Sequence, residues 1–295
     1  MKKSLIPLIV TCLCVLGAVQ IAAQTPPPNS PPPVLQIFRE EVKPGKGAAH
    51  EAVEAAYAQA YAREQWPVNW LGMTSISGPS EAWFTIPYES FAAMEQDRQN
   101  VMKKPAFLRQ LEQLDARDGE LRSGQRALLA VYRKDLSHHP EHLVANLPQS
   151  RYFNILTFRV RPGRDQDFVQ AVKTYVEALD KAKVSGGSAA YQVVSGAPGG
   201  TYLLFLAMKS LAELDEGPVR EKAIAQALGS DKAEKLFKTI SEVVLTTENA
   251  IFALSPAMSY MPKDFMAADP AFWNPKPKVA AKAASSAKKQ VAKTQ

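Results

Sequence analysis

The chain switches between two hydrophobic periods, and it does so twice. Residues 34–42 (VLQIFREEV) are dense in apolar and β-branched side chains and run into Pro44-Gly45, a turn signal. Residues 152–160 (YFNILTFRV) do the same and run into Pro162-Gly163. Each run reads as a strand. A helix is expected after each, roughly Ala48–Glu64 and Asp165–Lys183, with Asp165 as an N-cap. A hairpin follows each helix: Asn69–Ser77 with Glu81–Pro87, and Ala189–Ser195 with Thr201–Met208. Its loops, GPS and GAPGG, have turn chemistry. Helical segments Ser90–Arg122 and Ser210–Thr247 come next, broken near Lys104-Pro105 and Gly217-Pro218, and a last strand closes each unit.

The two units are copies. Val42-Lys43-Pro44-Gly45-Lys46 recurs 118 residues later as Val160-Arg161-Pro162-Gly163-Arg164, and Tyr57 falls on Tyr175. The offset becomes 120 for residues 81–95 on 201–215, and 122 for residues 128–140 on 250–262. Small steps that fall in loops and helix junctions indicate duplication. The fold class expected is α+β: two tandem ferredoxin-like βαββαβ units, each with two helices on one sheet face. The other face also looks apolar (Phe38, Val42; Leu156, Phe158, Val160) and needs a cover. The other copy's sheet would supply it, giving an intrachain pseudo-twofold α/β barrel.

This pattern, a strand, then Val-Lys-Pro-Gly-Lys, then a helix carrying Tyr57, resembles the dimeric α/β-barrel superfamily. That group includes antibiotic-biosynthesis-monooxygenase-like and NIPSNAP-like domains. The resemblance covers residues 34–137 and 152–259, and its motif is specific for fold rather than chemistry. It implies cofactor-free oxygenases, haem enzymes or small-ligand binders as relatives. Haem-binding tandem members use an axial histidine in one half. The second copy here has no histidine, so haem is not carried over and no cofactor is expected.

The ends of the chain carry different information. Lys2 and Lys3, the apolar run Leu5–Ala18 and the small pair Ala22-Ala23 read as a signal peptide over residues 1–23. The expected location is therefore exported, periplasmic or extracellular. Both cysteines, Cys12 and Cys14, fall inside that segment, so thiol chemistry and disulfides are not expected in the mature chain. Residues 24–33 are proline-dense and read as a stiff spacer. Residues 34–137 form the first repeat, 138–151 a linker and 152–262 the second repeat. Residues 263–273, with Phe265, Phe272 and Trp273, are too aromatic to float and are expected to pack back. Residues 274–295 read as a disordered Lys/Ala-rich tail.

The net charge of +6 belongs to the ends. With Lys2, Lys3 and the six tail lysines set aside, the remaining 27 basic residues face 29 acidic ones, a net −2. A nucleic-acid-binding domain would carry excess positive charge on a folded face, so no nucleic-acid partner is expected. The lysine tail could hold the protein to an acidic envelope surface. No membrane span is expected once the signal is removed.

Candidate chemistry concentrates where the copies differ. The first helix carries His50, Glu54, Tyr57 and Tyr61 on one face, and the aligned positions are Phe168, Val172, Tyr175 and Leu179. A pocket in the first copy would use His50 as acid/base with Glu54 orienting it. Tyr57 and Tyr61 would supply hydroxyls, and Trp70 and Trp83 an aromatic wall. A slightly rotated helix would instead leave His50 and Glu54 as an i,i+4 pair at its wet edge, because Ala49, Val53, Ala56 and Ala60 offer a competing stripe. Gln36 and the aligned Asn154 could each face a pocket, or bond to each other across the pseudo-twofold axis, which is the expected arrangement. His138, His139 and His142 have a metal-ligand look, with Glu141 beside them, but a solvated linker is the plainer expectation. No phosphate loop, nucleophile elbow, H-E-x-x-H or EF-hand motif is present. The function expected is that of a small-ligand-binding or structural envelope protein, with a small apolar or aromatic molecule as partner. The alternative is a cofactor-free oxygenase-like enzyme with its pocket in the first repeat.

Overall fold

The computed structural model describes residues 30–274, so the expected signal peptide and most of the lysine tail lie outside the described residues. The first half runs β1 (Val34–Val42), α1 (Gly47–Arg63), β2 (Leu71–Ser75), β3 (Glu81–Tyr88), α2 (Phe91–Met102), α3 (Pro105–Gly119), β4 (Arg122–Tyr132). A short helix, α4 (Pro140–Asn146), bridges to the second half. There follow β5 (Tyr152–Val160), α5 (Asp165–Lys181), β6 (Ser188–Ser195), β7 (Thr201–Met208), α6 (Gly217–Leu228), α7 (Ser230–Val243) and β8 (Val244–Leu254). Two short helices, α8 (Lys263–Ala267) and α9 (Pro270–Trp273), end the described chain.

The eight strands form a closed antiparallel barrel in the order β1-β3-β2-β8-β5-β7-β6-β4. Each half supplies four adjacent strands, and the halves join by hydrogen bonding at two seams. Met73 pairs with Leu254 between β2 and β8, and Tyr132 pairs with Tyr191 between β4 and β6. Closure leaves no free strand edge among the described residues. The element bounds keep the repeat offsets: 118 residues from β1 to β5 and α1 to α5, 120 from β3 to β7, 122 from β4 to β8.

Strand alternation sorts the side chains, and it corrects one expectation. The barrel interior is filled by Leu35, Ile37, Met73, Trp83, Leu128, Phe153, Ile155, Tyr191, Leu203, Phe205 and Phe252. Phe38 and Val42, expected to meet the other copy's sheet, pack under α1 with Ala58, Trp70 and Phe84. Phe158 and Val160 likewise pack under α5 with Phe168. Side chains two apart share a face, so Leu35 and Ile37 fix the parity that Phe38 then obeys.

Other expectations shift locally. The last strands begin earlier than the apolar runs suggest, at Arg122 and Val244, because ladder pairing with β1 and β5 holds their polar first halves extended. Asp165 is the first residue of α5 rather than its cap, which is Arg164. The linker is only partly solvated: His138, Leu143 and Ser150 are buried, whereas His139, Glu141 and His142 are exposed. The spacer's end is docked, with Pro31 buried, Pro32 O accepting from Tyr191 Oη at 3.1 Å and Pro33 O accepting from Tyr132 N at 2.9 Å. Trp273 lies against the barrel mouth and donates from Nε1 to Pro148 O at 2.7 Å. No helix among the described residues is long and apolar enough to cross a membrane.

Candidate functional site

Helix α1 presents two faces to two different surfaces, which settles its rotation. Val53 and Ala60 pack toward α3 and the Trp66–Phe107–Leu114 cluster. His50 and Glu54 turn to the other side and are buried, 1% and 7% exposed, so they are not the wet-edge pair. Glu54, Tyr57 and Tyr61 line a cavity of about 520 Å³ between the first half's sheet and α1, α2 and α3.

One end of the cavity is aromatic. Tyr61 stands edge-on to Trp70 and to Phe107, each with centroids 4.9 Å apart, and Phe84, Ile86 and Tyr88 add to the wall. Trp70 is fixed by donating from Nε1 to Met258 O at 2.9 Å. Burial pushes the Tyr61 hydroxyl up to about 12, so it stays a neutral donor.

The other end is charged, with Glu40, His50, Glu54 and Asp118 buried and Asp115 at its exposed rim. His50 Nε2 lies 2.8 Å from Glu40 Oε2 and 3.5 Å from Asp118 Oδ1. Arg122 donates from Nη1 to Glu40 Oε1 at 2.8 Å, from Nε to Asp118 Oδ2 at 2.9 Å and from Nη2 to Asp115 Oδ1 at 2.6 Å. Gln125 also donates to Glu40 Oε1, at 2.9 Å. Asp118 Oδ1 is buried without a hydrogen-bond partner, and burial followed by the nearby Glu40 raises its carboxyl above the usual range. Glu54 is pushed up to about 9, first by burial and then by the negative charges of Glu40 and Asp118. It is therefore a neutral acid at physiological pH and can donate a hydrogen bond or a proton into the cavity. Donor atoms of Glu40, His50, Glu54 and Asp118 all lie within 4.8 Å of one another. Arg122 already occupies Glu40 and Asp118, so the set fits a proton-holding network better than a metal centre.

Several expected roles change. Glu40 and Asp118, not Glu54, orient His50. Trp83 is not in the cavity: strand alternation points it into the barrel, where Nε1 donates to Glu81 Oε2 at 2.6 Å and Arg39 covers its ring at 4.5 Å. Gln36 lines the cavity, and Asn154 lies on the helix-facing side of β5 with Oδ1 buried and unpartnered. Each faces its own half, so the expected bond across the axis is absent. Glu40, Asp118 and Arg122 were not singled out from sequence. The repeat could have found Glu40 and Arg122: at the repeat's offsets Glu40 falls on Phe158, His50 on Phe168, Glu54 on Val172 and Arg122 on Val244. In the second half those four residues belong to an apolar cluster beneath α5.

No protein-family model matches the chain, and no curated protein matches it. Among solved structures it is similar to a provisionally named monooxygenase from Fusobacterium nucleatum, at 12% identity and a TM-score of 0.48, covering 76% of this chain and 93% of that one. It is also similar to an anthrone oxidase-like protein (11%, TM-score 0.45, 75% and 91%). A third is a single-substitution variant of chlorite dismutase from Candidatus Nitrospira defluvii (10%, TM-score 0.47, 77% and 94%). At these similarities neither activity nor ligand transfers, and the barrel is established by its own strand pairing.

Proposed function

We propose that the first repeat binds a small aromatic molecule carrying a hydrogen-bond acceptor, such as a phenol or quinone oxygen. The observation that carries this reading is the contrast between the halves. The same fold positions hold Glu40, His50, Glu54 and Arg122 in one half and Phe158, Phe168, Val172 and Val244 in the other. Apolar residues therefore suffice to build this layer. Replacing a buried ionic group by well-packed apolar ones is often neutral or stabilising, so the charged set is not there for the fold. Its neutral acid, Glu54, faces a cavity whose far wall is aromatic, a composition suited to a ring with one polar end.

Titrating the full chain with a hydroxynaphthoquinone while following tryptophan emission tests the reading. Saturable quenching is expected, weakened about tenfold in Glu54→Ala and retained in Glu54→Gln, which still donates. Quenching that never saturates, with no small molecule released on denaturing protein purified from its own host, overturns it.

A second reading is favoured by the titratable groups themselves: a cofactor-free oxygenase-like enzyme, in which the cluster takes a proton from the bound molecule before dioxygen reacts with it. Dioxygen uptake on adding the probe separates catalysis from binding. The duplicated offsets further support a tandem of two ferredoxin-like units, the arrangement of the dimeric α/β-barrel superfamily. Export rests on the residue pattern of positions 1–23, and N-terminal sequencing of the mature protein beginning at Gln24 would support it.

A further inference from the structure

We infer that His138, His139 and Asp180 form a binding site for a borderline divalent transition ion such as Zn²⁺, separate from the charged cluster and built at the junction of the two halves. Three features converge. The first is geometry. His138 Nε2 and His139 Nε2 lie 3.1 and 3.2 Å from the same Asp180 Oδ1, and the three donor atoms are all within 4.8 Å of one another. Donors around a tetrahedral zinc at about 2.0–2.1 Å sit roughly 3.3 Å apart, so little movement is needed to close them on an ion.

The second is a buried donor without a partner. His138 is 4% exposed, and its Nε2 makes no hydrogen bond. Asp180 Oδ1 is near enough to pair with it but lies off the line a hydrogen bond needs. An imidazole nitrogen left unsatisfied in a buried position destabilises the fold. Coordination would relieve that, since a metal ligand must be a neutral imidazole with its lone pair free.

The third is a rigid mount. The His138 backbone is held on both sides by Ser188, whose N donates to His138 O at 2.7 Å and whose Oγ accepts from His138 N at 3.3 Å. His139 sits at φ +39°, ψ +54°, a left-handed conformation uncommon outside glycine that turns its ring beside His138, with centroids 4.4 Å apart. Asp180 stands in the last turn of α5, where the helix dipole disfavours a negative side chain unless a cation is near. Two imidazoles and one carboxylate suit zinc, copper, nickel or cobalt rather than magnesium or calcium, and leave one position for water. An ion there ties the inter-repeat segment to α5.

Calorimetry of the untagged, chelator-treated full chain with ZnCl₂ tests the inference. One site of micromolar Kd is expected, with Tm raised by roughly 5 °C at Zn²⁺ about a hundredfold above Kd and no response to Mg²⁺. Co²⁺ in its place should give the visible absorption of a tetrahedral site. Asp180→Asn and His139→Ala, both at exposed side chains, should abolish binding without unfolding the protein, and His142→Ala should retain it. No binding heat, or binding that survives Asp180→Asn but is lost in His142→Ala, overturns the assignment.

Discussion

His50 meets Glu40, a residue on the neighbouring strand at 2.8 Å, rather than pairing with Glu54 one turn further along its own helix. This strand-to-helix contact makes the charged cluster a unit. Glu40 accepts at once from Arg122 and Gln125. Removing one partner leaves buried charge uncompensated, so Arg122→Ala should destabilise the protein by about 3–5 kcal/mol. Exchanging the set for the other half's residues (Glu40→Phe, His50→Phe, Glu54→Val, Arg122→Val, with Asp118→Ile) should be neutral or stabilising by about 1–4 kcal/mol. Urea unfolding of both variants checks the pair, and the full exchange should also lose probe binding.

The raised pKa of Glu54 makes stability fall as pH rises. Below about 4.5 the side chain is protonated in both folded and unfolded chains. Between 4.5 and about 9 the unfolded chain has lost that proton and the folded one keeps it, so each pH unit in that window lowers stability by up to about 1.4 kcal/mol. Glu54→Gln removes this dependence. Its Tm should match wild type near pH 4 and exceed it increasingly toward pH 9, as read by thermal melts across that range.

Asp97 holds the loosely packed cavity wall. Helix α2 has no fully buried residue, yet Asp97 Oδ1 accepts from Trp66 Nε1 at 2.7 Å and Oδ2 accepts from Tyr88 Oη at 3.0 Å. Asp97→Ala should free α2, costing about 1–3 kcal/mol. Faster amide exchange confined to residues 91–102, and faster probe release in stopped flow, are the expected signs.

Gly72 admits the segment that fixes Trp70. A Cβ there would meet Met258 O at 2.7 Å, and Gly72 N donates to Ser259 Oγ at 2.9 Å. Gly72→Ala should push residues 255–260 away, at roughly 1–3 kcal/mol. It should also redden Trp70 emission as its Nε1 loses Met258 O; unchanged emission would contradict the clamp.

The duplicated order of elements was legible because the Pro-Gly turns, the period changes and the paired offsets are local signals. The candidate site was half legible. His50, Glu54, Tyr57 and Tyr61 stand out because their counterparts in the second copy are mostly apolar. Glu40 and Arg122 passed unnoticed because a charge on a strand reads as solvent-facing unless one knows what covers that strand. Trp83 was misassigned for a related reason: an aromatic on a strand buried on both faces gives no hint of which layer it enters.

Residue order alone determined that two similar units follow one another and that their first helices differ in polarity, since spacing and composition are properties of adjacent positions. The tertiary structure decided how the strand edges pair into a barrel, which parity faces inward, and that Glu40, His50, Glu54, Asp118 and Arg122 meet in one cluster. Those outcomes depend on contacts between distant segments, whose desolvation and hydrogen bonding exist only once the chain has closed on itself.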